Sequence, residues 1–111
     1  MDIQLKRGLL DVCVLAAIKE KASYGYQIIK DMRPLMELSE STLYTILKRL
    51  EQAEMLTVET VEHGGRLRKY YQITSCGRAR IGEFLSEWQE IAMIYQFVAG
   101  GEEQNGKTSI S

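Results

Sequence analysis

With 111 residues, 45% of them apolar, the chain can build one domain around one modest core, which excludes a large enzyme cleft. The formal net charge of −1 would argue against a polyanionic partner if the charge were spread evenly. Instead, residues 1–62 carry 8 basic and 10 acidic side chains, residues 63–82 carry 5 and 0, and residues 83–111 carry 1 and 5. Cys13, inside LLDVCVLAAI, and Cys76, read as lying in a turn, show neither metal-ligand spacing nor a disulfide framework, so both are expected as free thiols. The apolar run near Met1 is broken by Asp11 and is too short to cross a bilayer, so a signal peptide or membrane helix is not expected and the location expected is the cytoplasm.

From Ile3 to Ile18 apolar residues occupy nearly every side of a helix, more surface than one small chain can cover, which predicts a second copy as the missing partner. Ser23 predicts the N-cap of a second helix, Tyr24 to about Met32, and Pro34 its stop. Ser39 predicts the cap of a third helix ending near Gln52. Its Leu43, Ile46, Leu47 and Leu50 form one stripe, with Ser41, Thr45, Lys48 and Gln52 opposite and Thr42, Tyr44 and Arg49 on the flanks. Two strands follow, Leu56 to Glu62 and Leu67 to Ile73, joined by Gly64 and Gly65, which supply the positive φ of a tight turn. On the return strand Lys69 shares a face with Leu67, Tyr71 and Ile73, which predicts that the alternation breaks near the tip. Thr74 or Ser75 opens a last amphipathic helix with Ile81, Phe84, Leu85, Trp88, Ile91, Ala92, Tyr95 and Val98 at helical spacing, and the Gly-rich, polar end predicts a disordered tail. The fold class expected is mainly α with a β-hairpin (α+β), divided into a winged helix-turn-helix over 1–75, a dimerisation helix over 76–99 and a tail over 100–111.

A polar-faced helix followed by a basic-tipped hairpin is the layout of a winged helix-turn-helix and points to duplex DNA. The candidate contacts are Ser39, Ser41, Thr42, Tyr44, Thr45, Lys48 and Arg49 of the third helix and His63, Arg66, Arg68 and Lys69 of the wing. Hydroxyls suit base edges, whereas Lys48 and Arg49 serve equally as phosphate anchors. Arg78 and Arg80 are read either as further anchors or as solvated charges, and Tyr70 and Tyr71 as hairpin packing. His63 is the lone histidine and has no carboxylate or cysteine at ligand spacing. No paired carboxylates, activated nucleophile or phosphate loop occurs, so no enzyme activity, metal or cofactor is expected. The rival is a winged helix used as a protein-interaction module without DNA, which has no need of an acid-free wing.

Trp88 has two readings, an anchor of the dimer core or a stacking plate for a ligand. Near a two-fold axis it meets its own copy, and two indole faces can enclose a planar, hydrophobic compound. Gly8 and Ala16, small residues two turns apart beside Val12, would leave the slot. Ala92, one turn after Trp88, offers no acidic group to select cations.

YGYQI (Tyr24 to Ile28), STLYTILKRLE (Ser41 to Glu51), GGRLRKYYQIT (Gly64 to Thr74) with Gly77, and Trp88 in the last helix together resemble the PadR family of transcriptional regulators, in its compact branch with one helix after the wing. The resemblance implies a homodimeric repressor whose third helix enters the major groove, whose wing touches the backbone, and whose first and last helices dimerise. It also implies, for some compact members, flat aromatic drugs bound between paired tryptophans. Two departures stand out: Thr45 where many members have Pro, and Ala53 or Glu54 where many have Gly.

Overall fold

The computed structural model describes residues 1–100, so the tail expected over 100–111 lies outside the described residues except for Gly100. The elements are α1 (Ile3–Ala17), α2 (Gly25–Met32), α3 (Glu40–Gln52), β1 (Leu56–His63), β2 (Arg66–Ile73) and α4 (Ser75–Ala99). One compact unit comprises Met1–Ile81 and a second begins at Gly82, within α4.

Each helix of the first unit starts where a side chain or the preceding backbone takes up its free amides. The Asp2 carboxylate accepts from Gln4 N and Leu5 N at 3.0 and 3.1 Å, and the Ser39 hydroxyl accepts from Thr42 N at 3.2 Å. The cap expected of Ser23 is a correction. Tyr24 occupies the N-cap of α2 without a side-chain bond, and the backbone of Ser23 instead pairs with Tyr71, donating to and accepting from it at 3.1 and 2.7 Å. The α1–α2 connection therefore adds one antiparallel rung to the outer edge of β2, a pairing between residues far apart in sequence.

The stripe foreseen on α3 is the centre of the core: Leu43, Ile46, Leu47 and Leu50 are buried against Val14, Leu15 and Ile18 of α1, Ile28 and Met32 of α2, and Leu56, Tyr71 and Ile73 of the hairpin. Burying each such aliphatic side chain contributes roughly 1.5–3 kcal/mol. After Gln52 the chain reverses in a Schellman turn, with Met55 N donating to Leu50 O and Glu54 N to Glu51 O, both at 2.9 Å. The reversal puts Glu54, a non-glycine residue, at φ +62°.

The hairpin pairs in one unbroken register from Leu56↔Ile73 to His63↔Arg66, around Gly64 at φ +58° and Gly65 at φ +80°. The expected break in alternation does not occur. Leu56, Val58, Tyr71 and Ile73 face the core, and the same face simply runs out into solvent, leaving Leu67 79% exposed beside Lys69. Thr74 then opens α4: its hydroxyl accepts from Gly77 N at 3.1 Å and donates to Glu54 O at 2.7 Å. Cys76 lies in the first turn of α4 rather than in a loop, and Gly77 is buried there. A Cβ at Gly77 would run into the Met55 carbonyl and come within 2.7 Å of Ile73 Cγ1, so only glycine lets this turn seat on the hairpin base. Burial pushes the Cys13 thiol up, which keeps it protonated.

In the second unit, Phe84 and Trp88 stack one turn apart, with ring centroids 5.8 Å apart and planes at 16°. Most of the other large apolar side chains of this helix are solvent-exposed, among them Leu85, Ile91, Met93, Ile94, Phe97 and Val98.

Candidate nucleic-acid interface

The core stripe of α3 fixes which residues are left outward. Ser41, Thr42, Tyr44, Thr45 and Lys48 are exposed, and their hydroxyls are already partly organised. Ser39 Oγ donates to Thr42 Oγ1 at 2.9 Å, which leaves the Thr42 proton for an outside acceptor. Thr45 Oγ1 donates to the Ser41 carbonyl at 2.9 Å, so Thr45 can meet a base edge only as an acceptor or through its methyl group. Tyr44 leans over the start of α2, where a Cβ on Gly25 would lie 3.0 Å from its ring carbon Cζ and closer still to its hydroxyl. Gly25 thus sets the pose of Tyr44.

Arg49 stands apart from the rest of this face. Its guanidinium is bonded to Asp11 of α1, so its charge is neutralised within the fold and it ties α1 to α3. Sequence spacing offered no sign of this pair, whose members lie 38 positions apart.

The wing bases separate onto two faces. Lys69, opposite Thr60, lies on the face turned toward α3 and shares a groove of about 400 Å³ with Tyr44, Lys48 and Glu51. Arg66 and Arg68, opposite His63 and Val61, lie on the other face. Arg68 is half-buried, its guanidinium 3.9 Å from the Tyr24 ring centroid and its Nη1 donating to Tyr70 Oη at 3.3 Å. Tyr70 in turn meets Tyr24 edge-on at 5.5 Å. Arg68 therefore fastens the wing to the start of α2, and Tyr70 and Tyr71 serve packing. Arg66 and His63 are exposed at the tip. Pairing the strands also brings Glu59 and Glu62 of β1 alongside the basic strand, so the hairpin in space is less basic than residues 63–82 taken as a line.

A further groove of about 750 Å³ runs between Tyr24, Tyr26, Tyr44, Arg68 and Lys69. Burial first, then the neighbouring Tyr44 and Glu51, holds the Tyr71 phenol above the usual tyrosine range. Arg78 donates to the Lys19 carbonyl at 2.9 Å, which ties α4 to the loop after α1. The ligand-slot candidates fall in separate units. Gly8 and Ala16 are half-buried and Val12 buried on α1, while Trp88, 44% exposed, and Ala92 lie in the second unit. Among the described residues no group of His, Cys, Asp or Glu is placed to hold a metal, and no helix is long and apolar enough to cross a membrane.

Residues 14–83 match the model of the transcriptional regulator PadR-like family. An uncharacterized protein of Lysinibacillus sphaericus is 38% identical over 103 residues, covering 87% of this chain and 94% of that one. The solved PadR-like transcription factor of Bacteroides fragilis superposes with a TM-score of 0.78 at 30% identity, over 86% of this chain and 94% of that one. Bacillus subtilis PadR in complex with operator DNA shares the fold, with a TM-score of 0.65 at 22% identity over 69% of this chain and 47% of that one.

Proposed function

The chain belongs to the PadR-like family of transcriptional regulators, and from that premise we propose that it is a homodimeric repressor holding α3 in the major groove of a dyad-symmetric operator. The observation that carries this is the outer face of α3, where four hydroxyl side chains and Lys48 stand together beside Lys69 of the wing. The fold shared with a PadR bound to operator DNA supports the same class of partner. In this role Ser39, Ser41, Thr42, Tyr44 and Thr45 serve base edges and nearby phosphates, and Lys48, His63, Arg66 and Lys69 anchor the backbone. Arg68 and Arg49 hold the wing and α3 in place. A regulator of this kind works in the cytoplasm, where its operator is.

Support for the dimer comes from the apolar residues left open on α4, among them Ile94, Phe97 and Val98 at 61, 86 and 76% exposure, and from Ile3 and Leu5 of α1 at 70 and 46%. Phe84 covers one face of Trp88, which leaves the other for a planar hydrophobic effector beside Ala92. Salt-dependent retardation of the promoter fragments beside its own gene tests the assignment. Thr45→Val and Tyr44→Phe should change the ratio of operator to random-DNA affinity by roughly 1–3 kcal/mol if each removes a base contact. Equal losses on both DNAs would take α3 out of the reading role, and no shift at low salt by a folded dimer would favour a protein-interaction module. Planar dyes should quench the emission of the lone tryptophan with one dye per dimer, and a panel that leaves it unchanged removes the effector.

A further inference from the structure

The outer face of α3 has two flanks, and the wing builds only one of them. The other is built by α1. Ile3, Lys6, Arg7 and Leu10 line one side of a groove of about 230 Å³ whose opposite wall is Thr42, Thr45 and Ile46 of α3. Lys6 and Arg7 are exposed, and no residue lining the groove carries a carboxylate. The nearest acids on α1 are engaged: Asp11 by Arg49, and Asp2 by the amides of Gln4 and Leu5. Among the described residues neither Lys6 nor Arg7 has an ion-pair partner.

A helix lying in a major groove has a phosphate backbone on each side. On the wing side Lys48 and Lys69 meet it, but there Glu51 lines the same groove and Glu62 lies next to the tip. On the α1 side Lys6 and Arg7 are the cations at hand, beside Thr42, whose hydroxyl keeps its proton for an acceptor. We infer that Lys6 and Arg7 clamp a DNA phosphate on the α1 flank of α3, with the Thr42 hydroxyl donating to the same group. This rests on the DNA-binding role proposed above and extends it to α1, beyond the residues of α3 and the wing to which that role was assigned. It makes the interface a cradle with α3 as its floor, one basic wall from β2 and a second from the start of α1. The Arg49 to Asp11 pair then has a purpose besides neutralisation, since it fixes the second wall against the floor.

The test is a salt titration of binding to a short random-sequence duplex, which needs no knowledge of the operator. Lys6→Gln with Arg7→Gln should flatten the slope of log affinity against log salt by about two units, one for the phosphate lost in each half of the dimer, and Arg66→Gln with Lys69→Gln, tested separately, should flatten it at least as much. The α1 pair would thus show a roughly tenfold smaller loss of affinity between about 50 and 200 mM salt. The charge-conserving Lys6→Arg with Arg7→Lys should keep the wild-type slope. If the wing pair flattens the slope and the α1 pair does not, the clamp is refuted while the DNA-binding role stands. If wild type shows no salt-dependent binding, both fall together. An α1 pair that loses affinity at unchanged slope, or whose sedimentation or melting differs from wild type, would show these residues acting through assembly or folding and would equally overturn the inference.

Discussion

Replacing Glu54 with Gly should stabilise the protein, and the reason is confined to one backbone dihedral. Glu54 stands at the left-handed position of the turn that ends α3, at φ +62°, where a side chain crowds the carbonyl and costs about 1–2 kcal/mol. Glycine removes that cost but brings back roughly 0.5–1 kcal/mol through the greater freedom of its unfolded chain. The Glu54 side chain is exposed and makes no ion pair among the described residues, while the bonds to the backbone, Glu54 N to Glu51 O and Thr74 Oγ1 to Glu54 O, survive the change. The net gain is about 0.5–1 kcal/mol, which for a domain of this size raises the melting temperature by about 2–6 °C. Thermal unfolding followed by circular dichroism, at one fixed protein concentration because dimerisation shifts the midpoint, measures it. Glu54→Ala is the control, since it deletes the carboxylate and leaves the strained dihedral. A Glu54→Gly protein no more stable than wild type, or a Glu54→Ala protein stabilised as much, would refute the dihedral account. The turn also sets where β1 leaves α3, so the variant should bind DNA as wild type does.

Gly77→Ala should destabilise by roughly 1–3 kcal/mol in a urea titration, because its methyl group meets the Met55 carbonyl and Ile73, and a wild-type midpoint would mean that the turn can shift. Arg68→Gln should cost about 0.5–1 kcal/mol of stability through the lost contact with the Tyr24 ring, whereas Arg66→Gln, exposed at the tip, should cost nothing measurable; equal losses would contradict the packing of Arg68 against Tyr24. The raised Tyr71 phenol keeps its proton in the fold beyond the pH at which the unfolded chain releases it. Stability should therefore hold up to about pH 10, the ordinary tyrosine value, and fall above it, with Tyr71→Phe less sensitive in alkaline denaturation; identical alkaline limbs would deny the burial effect.

What the sequence revealed, and what it hid, divides by whether the cause is local. The apolar stripe of α3, the stop at Pro34 and the two glycines of the hairpin were legible because each acts within a turn or two of its own position. Ser23 shows the opposite case. As a serine before a helix it has the chemistry of a cap, but the edge of β2, visible only once the chain has folded, gives its backbone a partner, and the cap position passes to Tyr24. Arg49 likewise has the spacing of an outward residue and is drawn inward by Asp11.

Charge is where the linear view fails most instructively. A count along residues 63–82 treats the basic run as a surface, yet a hairpin lays its two strands side by side, so whatever β1 carries belongs to the same patch. Glu59 and Glu62 end their own segment of the sequence but in space lie alongside Arg66, Arg68 and Lys69, and Arg68 is half-buried against Tyr24. Lys6 and Arg7 show the converse: in a stretch of sequence with more acids than bases they attract no notice, yet folding sets them beside Thr42 and Thr45 with their acidic neighbours already bound. The positive potential around α3 is therefore a property of the fold rather than of any run of residues. Its balance between the two flanks is the quantity that salt-dependent binding reads out.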